Sequence, residues 1–128
     1  SLYTSPSDEM NEFLRICKAL SDETRVRALL SLEGGELCLC QVVDLPKLSP
    51  ATVSRHMSLP GQAGLVARGR EGKWIYYRLS GGTPAARAAL RWARRSLLGD
   101  KAIAADARSV CCIRGKDLSE VATCCYKE

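Results

Sequence analysis

Seven cysteines among 128 residues, and the way they are grouped, are the first chemistry this sequence offers. Two stand in Cys38-Leu39-Cys40, four in the adjacent pairs Cys111–Cys112 and Cys124–Cys125, and Cys17 stands apart. Adjacent cysteines rarely crosslink to each other, because a disulfide needs Cα atoms farther apart than neighbouring residues easily allow. The odd count also speaks against a stapled secreted scaffold. The pattern points to reduced thiols acting as ligands, which suits a reducing compartment and predicts a cytoplasmic protein. Thiolates suit soft ions such as trivalent arsenic and antimony, cadmium or lead. Zinc usually asks for four ligands with imidazole or carboxylate help, and the single histidine, His56, lies in a segment suited to another task.

That other task is binding a polyanion. Residues 1–46 carry a net charge of −4, whereas residues 47–79 carry +5 and residues 80–98 carry +4 without a single acid. A positive field focused on the middle of a chain is the footprint of a polyanion binder, although charge alone fits a solvated basic face equally well. Within it, Ser49, Thr52 and Ser54 are short hydroxyl donors, Arg55 is a fork donor for phosphate or guanine, and His56 adds a further polar contact. Arg68, Arg70 and Lys73 follow at a predicted hairpin tip, with the chemistry for backbone or minor-groove contacts.

These side chains need elements to hold them. Residues 8–20 place Met10, Phe13, Leu14, Cys17 and Leu20 at helical spacing, with acids opening the segment and Lys18 near its end. Cys17, on that apolar face, reads as a core residue. Asp22 is a plausible N-cap for a helix over 23–33, which Gly34-Gly35 ends. The apolar run 37–45 predicts a short helix closed by Pro46. On such a helix Cys38 and Cys40 would stand about 200° apart around the axis, so one ion could hold both only by unwinding it. Ser49-Pro50 starts a helix over 50–59, with Val53 and Met57 on its inner side, and Pro60-Gly61 is expected to stop it. The period then changes: residues 65–79 read as two short strands around Arg70-Glu71-Gly72. Trp74, Tyr76 and Tyr77 are expected to pack this hairpin onto the helices. Thr83-Pro84 opens another helix with Ala86, Leu90, Ala93 and Leu97 on one stripe, and residues 101–110 form a weaker, Ala-rich helix.

The expected fold is mainly α with a small β-hairpin, a winged helix-turn-helix in the order α-α-α-α-β-β-α. The boundaries predict a DNA-binding and dimerisation domain over 1–98 and a Cys-rich C-terminal extension over 99–128. Apolar stripes on the helices at 8–20 and 84–98 would let a two-fold partner bury them. At 46% hydrophobic and 26% charged, the composition excludes general disorder. No apolar run approaches a membrane span, and the acidic start around Asp8, Glu9 and Glu12 does not read as a signal peptide.

In combination, ALSDETR, ELCLC, TVSRH and EGKWIYYRL resemble the ArsR/SmtB family of metal- and metalloid-sensing repressors, over about residues 12–98. The resemblance implies a homodimer on double-stranded operator DNA, released when an inducer ion binds, with no constitutive cofactor. ELCLC is similar to the ELCVC element of arsenite-responsive members. There a third cysteine often follows three residues later; here that position is Val43, so three thiolates are not completed within this segment. Some relatives place inducer cysteines in terminal extensions. The expected metalloid ligands are therefore Cys111 and Cys112 first, Cys38 and Cys40 close behind, and Cys124 and Cys125 third. The expected inducer is a trivalent arsenical or antimonial, As(III) or Sb(III): arsenite, antimonite or methylarsenite, the last satisfied by two sulfurs.

Two other classes compete. A redox-sensing repressor would form disulfides between the cysteine pairs, and a cadmium, lead or zinc sensor would use the same fold. A thiol enzyme fits poorly: there is no CxxC, no phosphate-cradling glycine loop and no Cys–His spacing.

Overall fold

Capping chemistry sets the start of the first helices in the computed structural model, which describes residues 7–44 and 50–114. α1 spans Asp8–Ala19, and the Ser7 hydroxyl accepts from the Met10 amide at 3.2 Å. α2 spans Glu23–Ser31, and Asp22 accepts from the Arg25 amide at 3.0 Å. Each cap satisfies one of the amides a helix start leaves unpaired. Arg25 ties the two helices together by donating to the Ala19 and Lys18 carbonyls, both at 3.0 Å.

The helix expected over 37–45 begins later. Leu37–Cys38 form a short strand, β1, and α3 spans only Leu39–Asp44. The Cys38 amide donates to the Gln41 side-chain oxygen at 2.8 Å, so Gln41 reaches back to the junction where strand becomes helix. Leu37 lies opposite Tyr77 and Cys38 opposite Tyr76 on a neighbouring strand. Cys38 and Cys40 therefore straddle a strand–helix junction, and the argument from one regular helix does not apply to them.

α4 spans Pro50–Gln62 and runs through Pro60-Gly61, where it was expected to stop. Pro60 is fully buried, and its carbonyl accepts from the Leu65 amide at 3.0 Å. A proline inside a helix loses one hydrogen bond. Here the ring packs into the core and offsets that loss near the helix end. The wing is β2, Val66–Glu71, antiparallel to β3, Trp74–Leu79, and the three-stranded sheet has the order β1-β3-β2. Glu71 pairs with Trp74, leaving a two-residue turn in which Gly72 takes φ 62°, a left-handed value that a side chain would strain. Tyr77 is buried, and Trp74 and Tyr76 are partly buried against the core.

α5 spans Pro84–Ser96, with Thr83 as cap and Pro84 in the first turn; Ala86 and Ala93 face inward. α6 spans Lys101–Arg114, longer than the helix expected over 101–110, and its last turn carries Cys111 and Cys112. It packs against α2 and α3 and sends Val110 into the core. α4 in turn packs on α1, α2 and α3. The arrangement is a winged helix-turn-helix, with α3 and α4 as the helix pair and β2–β3 as the wing. No helix among the described residues is long and apolar enough to cross a membrane.

The core is drawn from nearly every element, with Leu29, Leu32, Leu37, Val42 and Leu65 among its fully buried side chains. Leu65 joins α4 to the wing, and its carbonyl accepts from the Ser80 amide at 2.9 Å. Replacing Leu65 by Ala should cost about 2–5 kcal/mol of stability, as a cavity that the sheet edge cannot collapse to fill. Urea unfolding would report it as a lower midpoint with an unchanged slope.

α1 corrects the expectation for Cys17. Its inward side chains are Ile16 and Ala19, while Met10, Phe13 and Leu14 stand about half exposed. Cys17, expected in the core, is exposed on that same outer stripe.

Candidate nucleic-acid interface and thiol positions

α4 is amphipathic, and its inner side fixes its outer one. Val53, Met57 and Pro60 are buried, which turns Arg55 and Ser58 outward and leaves Thr52, Ser54 and His56 half-buried. Ser54, Ser58 and Gln62 follow one another at four-residue steps and so share a stripe. With Arg68 of β2 they line a concavity of about 520 Å³ between helix and wing, floored by Met57 and Tyr77. Thus Ser54 and Arg68, expected at the interface, are brought together. Ser58 and Gln62 join them although they were not expected there. The four-residue spacing was readable, but the expected stop at Pro60 cut the stripe short.

His56 sits at the inner margin of this surface. Its Nδ1 lies 3.9 Å from Asp22 Oδ2, the carboxylate that caps α2. Ser49 lies outside the described residues.

On the wing, strand alternation puts Arg68 and Arg70 on one face, both exposed. Arg70 Nε donates to the Gly72 carbonyl at 3.1 Å, which holds the guanidinium at the turn. Lys73 Nζ lies 5.3 Å from the centre of the Trp74 ring, a cation–π contact that keeps the ammonium at the tip. With exposed Arg78 of β3 the wing therefore carries four cations, and Glu71 is the sole acid of its two strands.

The thiols divide by environment. Cys38 is fully buried in β1, and Cys40 is the second residue of α3. Cys111 is exposed at the rim of a cavity of about 540 Å³ between α2, α5 and α6, lined by Leu30, Ile103, Ala107 and Val110. Cys112 is the next residue of α6. α6, which bears Cys111 and Cys112, packs against α3, which bears Cys40. Among the described residues no group of three or more Cys, His, Asp or Glu side chains is arranged to hold a metal ion. Cys124 and Cys125 lie outside the described residues.

One ion pair gave no signal in the sequence. Arg27 of α2 meets Asp106 of α6 in a two-pronged contact, Nε to Oδ2 at 2.9 Å and Nη2 to Oδ1 at 2.8 Å. Asp106 is buried. Its hydrogen bonds, ahead of its charge, hold the Arg27 guanidinium protonated even more firmly than usual, against the opposing effect of burial. The partners are 79 residues apart, a separation at which no local pattern predicts contact.

Known proteins match this chain in sequence and in fold. The family described as bacterial regulatory protein, arsR family, matches residues 22–68, from the cap of α2 into the wing. The arsenic resistance transcriptional regulator ArsR1 of Pseudomonas putida is 40% identical over 78 residues, and the match covers 58% of this chain and 61% of that protein. The chain thus spans about three fifths of the length of this curated relative. A helix-turn-helix transcriptional regulator of Methanocaldococcus jannaschii is 38% identical over 63 residues, covering 48% of this chain and 71% of that one. Among solved structures, the homodimeric winged helix-turn-helix DNA-binding domain Mb0332 of Mycobacterium bovis superposes with a TM-score of 0.61 at 24% identity, over 77% of this chain and 94% of that one. That likeness bears on fold.

Proposed function

We propose, because this chain belongs to the arsR family of bacterial regulatory proteins, that it is a transcriptional repressor of a resistance operon. It binds operator DNA as a homodimer and is released when a trivalent arsenical binds its cysteine thiolates. The observation that carries the DNA half is the concavity between α4 and the wing, where Ser54 and Ser58 face Arg68 beside the exposed Arg55. In a helix-turn-helix the second helix enters the major groove, and its N-terminal side chains read base edges. Thr52, Ser54, Arg55 and His56 are the described residues of that end, with Ser49 just before it. Arg68, Arg70 and Lys73 would hold phosphate or the minor groove.

The homodimer is supported by the outward apolar side chains of α1 and by Trp92 of α5, which is 67% exposed. α1 and α5 are in contact, so a two-fold partner could cover apolar side chains of both. Residues 1–98 would supply DNA binding and dimerisation, and residues 99–128 the principal thiols.

The arsenical half rests on soft-ligand chemistry. Cys111 and Cys112 rank first, because an exposed thiol and its neighbour in one helical turn offer a chelating pair. Cys38 and Cys40 rank next, at the junction of β1 with α3, the helix that α6 touches, and Cys124 and Cys125 third. The reduced thiols fit a cytoplasmic protein.

An operator-release titration by fluorescence anisotropy tests this reading, with arsenite and methylarsenite run in parallel. Wild type should lose operator affinity on the order of tenfold or more at saturating inducer, and Cys111→Ser/Cys112→Ser should lose that response. An unchanged response in the double variant would return the sensor to Cys38 and Cys40. Wild type indifferent to both arsenicals but released by cadmium or peroxide would replace the arsenical reading with a metal or redox one.

A further inference from the structure

α6 meets the body of the molecule through a mixed face: among its described side chains Ala102, Ile103 and Ala105 are half-buried, and Asp106 and Val110 are buried. Apolar burial is non-directional, so it does not by itself fix how the helix is turned. The Arg27–Asp106 pair does. A guanidinium meeting a carboxylate through two parallel hydrogen bonds sets both distance and direction, which a single ammonium contact would not. Asp106 lies five residues before Cys111, so the fork sits little more than one helical turn from the thiols.

The other end of the contact leads toward the DNA face. Arg27 stands in the middle of α2, and its Nη1 also approaches Glu23 at 3.5 Å in the first turn of that helix. One residue earlier, Asp22 caps α2 and lies 3.9 Å from His56 of α4. α2 also packs directly on α4. The thiol-bearing helix is thus joined by a rigid fork to α2, and α2 is joined by packing and by Asp22 to the helix that would read DNA.

We propose that the Arg27–Asp106 pair is the joint through which an inducer held at Cys111 and Cys112 acts on α4. The inference rests on the reading of those thiols as inducer ligands. When thiolates close around an ion, the end of α6 must move to satisfy sulfur geometry. With the fork intact, α2 must follow, and the seat of α4 shifts with it. Without the fork, α6 moves alone. Arg27 and Asp106 are then positioning residues: they touch neither DNA nor ion, and they set how strongly the two are coupled.

The test separates ion capture from release. Arsenite binding is read from sulfur–arsenic absorbance in the ultraviolet, and operator affinity from anisotropy, on the full chain. Three proteins are compared: wild type, Asp106→Asn, which keeps the shape and loses the charge, and Arg27→Lys, which keeps the charge and loses the fork. Without arsenite, all three should bind operator within about twofold of one another, while arsenite's effect, on the order of tenfold or more in wild type, should fall below about threefold in both variants. Both variants should still show the sulfur–arsenic absorbance. Should Asp106→Asn fail to fold, Arg27→Lys carries the comparison alone. A variant that captures arsenite and releases operator as wild type does overturns the joint and leaves the functional reading standing. A wild type that captures arsenite and keeps its operator overturns the functional reading and the joint with it.

Discussion

Raising the salt from about 50 to about 200 mM should weaken operator binding by roughly a thousandfold or more. The expectation follows from where the cations are. Arg55 on α4 and Arg68, Arg70 and Lys73 on the wing are all exposed, with Glu71 as the one acid among the residues of β2 and β3. A proposed dimer doubles the four to eight. Each phosphate neutralised releases condensed counterions, and a protein making 6–10 such contacts loses roughly 10³–10⁵ in affinity over that range. The internal contacts of Arg70 and Lys73 do not withdraw them. Arg70 uses one donor on the Gly72 carbonyl and keeps the rest of its fork, and Lys73 lies over an indole that leaves its ammonium at the tip. Replacing Arg68 by Ala should reduce the slope of log affinity against log salt by about one for each protomer engaged. A scrambled duplex should show a similar slope at weaker affinity, since phosphates carry no sequence. A nearly flat salt dependence would mean that these cations face solvent and not DNA, and the assignment of α4 and the wing would fall.

How much of this was legible in the sequence depended on the range of the interaction. Local chemistry was readable. Asp22 caps the helix it was expected to cap, Thr83-Pro84 opens a helix as expected, Val53 and Met57 face inward, and the change of period at residue 65 marks the wing. Three features required the folded chain. β1 is two residues long, too short for any period to declare itself, and exists because Leu37 and Cys38 meet Tyr77 and Tyr76 from forty residues away. Pro60 carries a strong local stop signal, which burial of its ring overrides. The apolar stripe on α1 illustrates a more general gap. Helical spacing establishes that Met10, Phe13, Leu14 and Cys17 share a face, but the same spacing serves a core face and an outer one. Ile16 and Ala19, which do face inward, are offset from that stripe by a fraction of a turn.

That offset gives the second large effect. Phe13→Glu should convert the proposed dimer to monomer and cost operator affinity on the order of 10²–10⁴, the advantage of engaging two half-sites through one linked assembly. Phe13 is 58% exposed in the single chain, and Trp92 of the neighbouring α5 is 67% exposed. Aromatic side chains of this kind bury on the order of 150–250 Å² each when covered. At about 25 cal/mol per Å², one of them on each side supplies several kcal/mol to an interface and carries much of its energy. A glutamate there would meet its two-fold mate or the apolar patch, and a charge buried without a partner is costly. The substitution should spare the fold, because the residues that seat α1 are Ile16 and Ala19 and their contacts are untouched. Ile16→Glu is the contrasting variant: it should unfold the domain and not merely split the dimer. Sedimentation gives the mass and far-ultraviolet circular dichroism the fold. Anisotropy on full and half operators shows whether the two half-sites are still linked. A Phe13→Glu protein that remains dimeric would move the interface elsewhere. One that is monomeric yet binds the full operator undiminished would remove the need for two-fold symmetry in recognition.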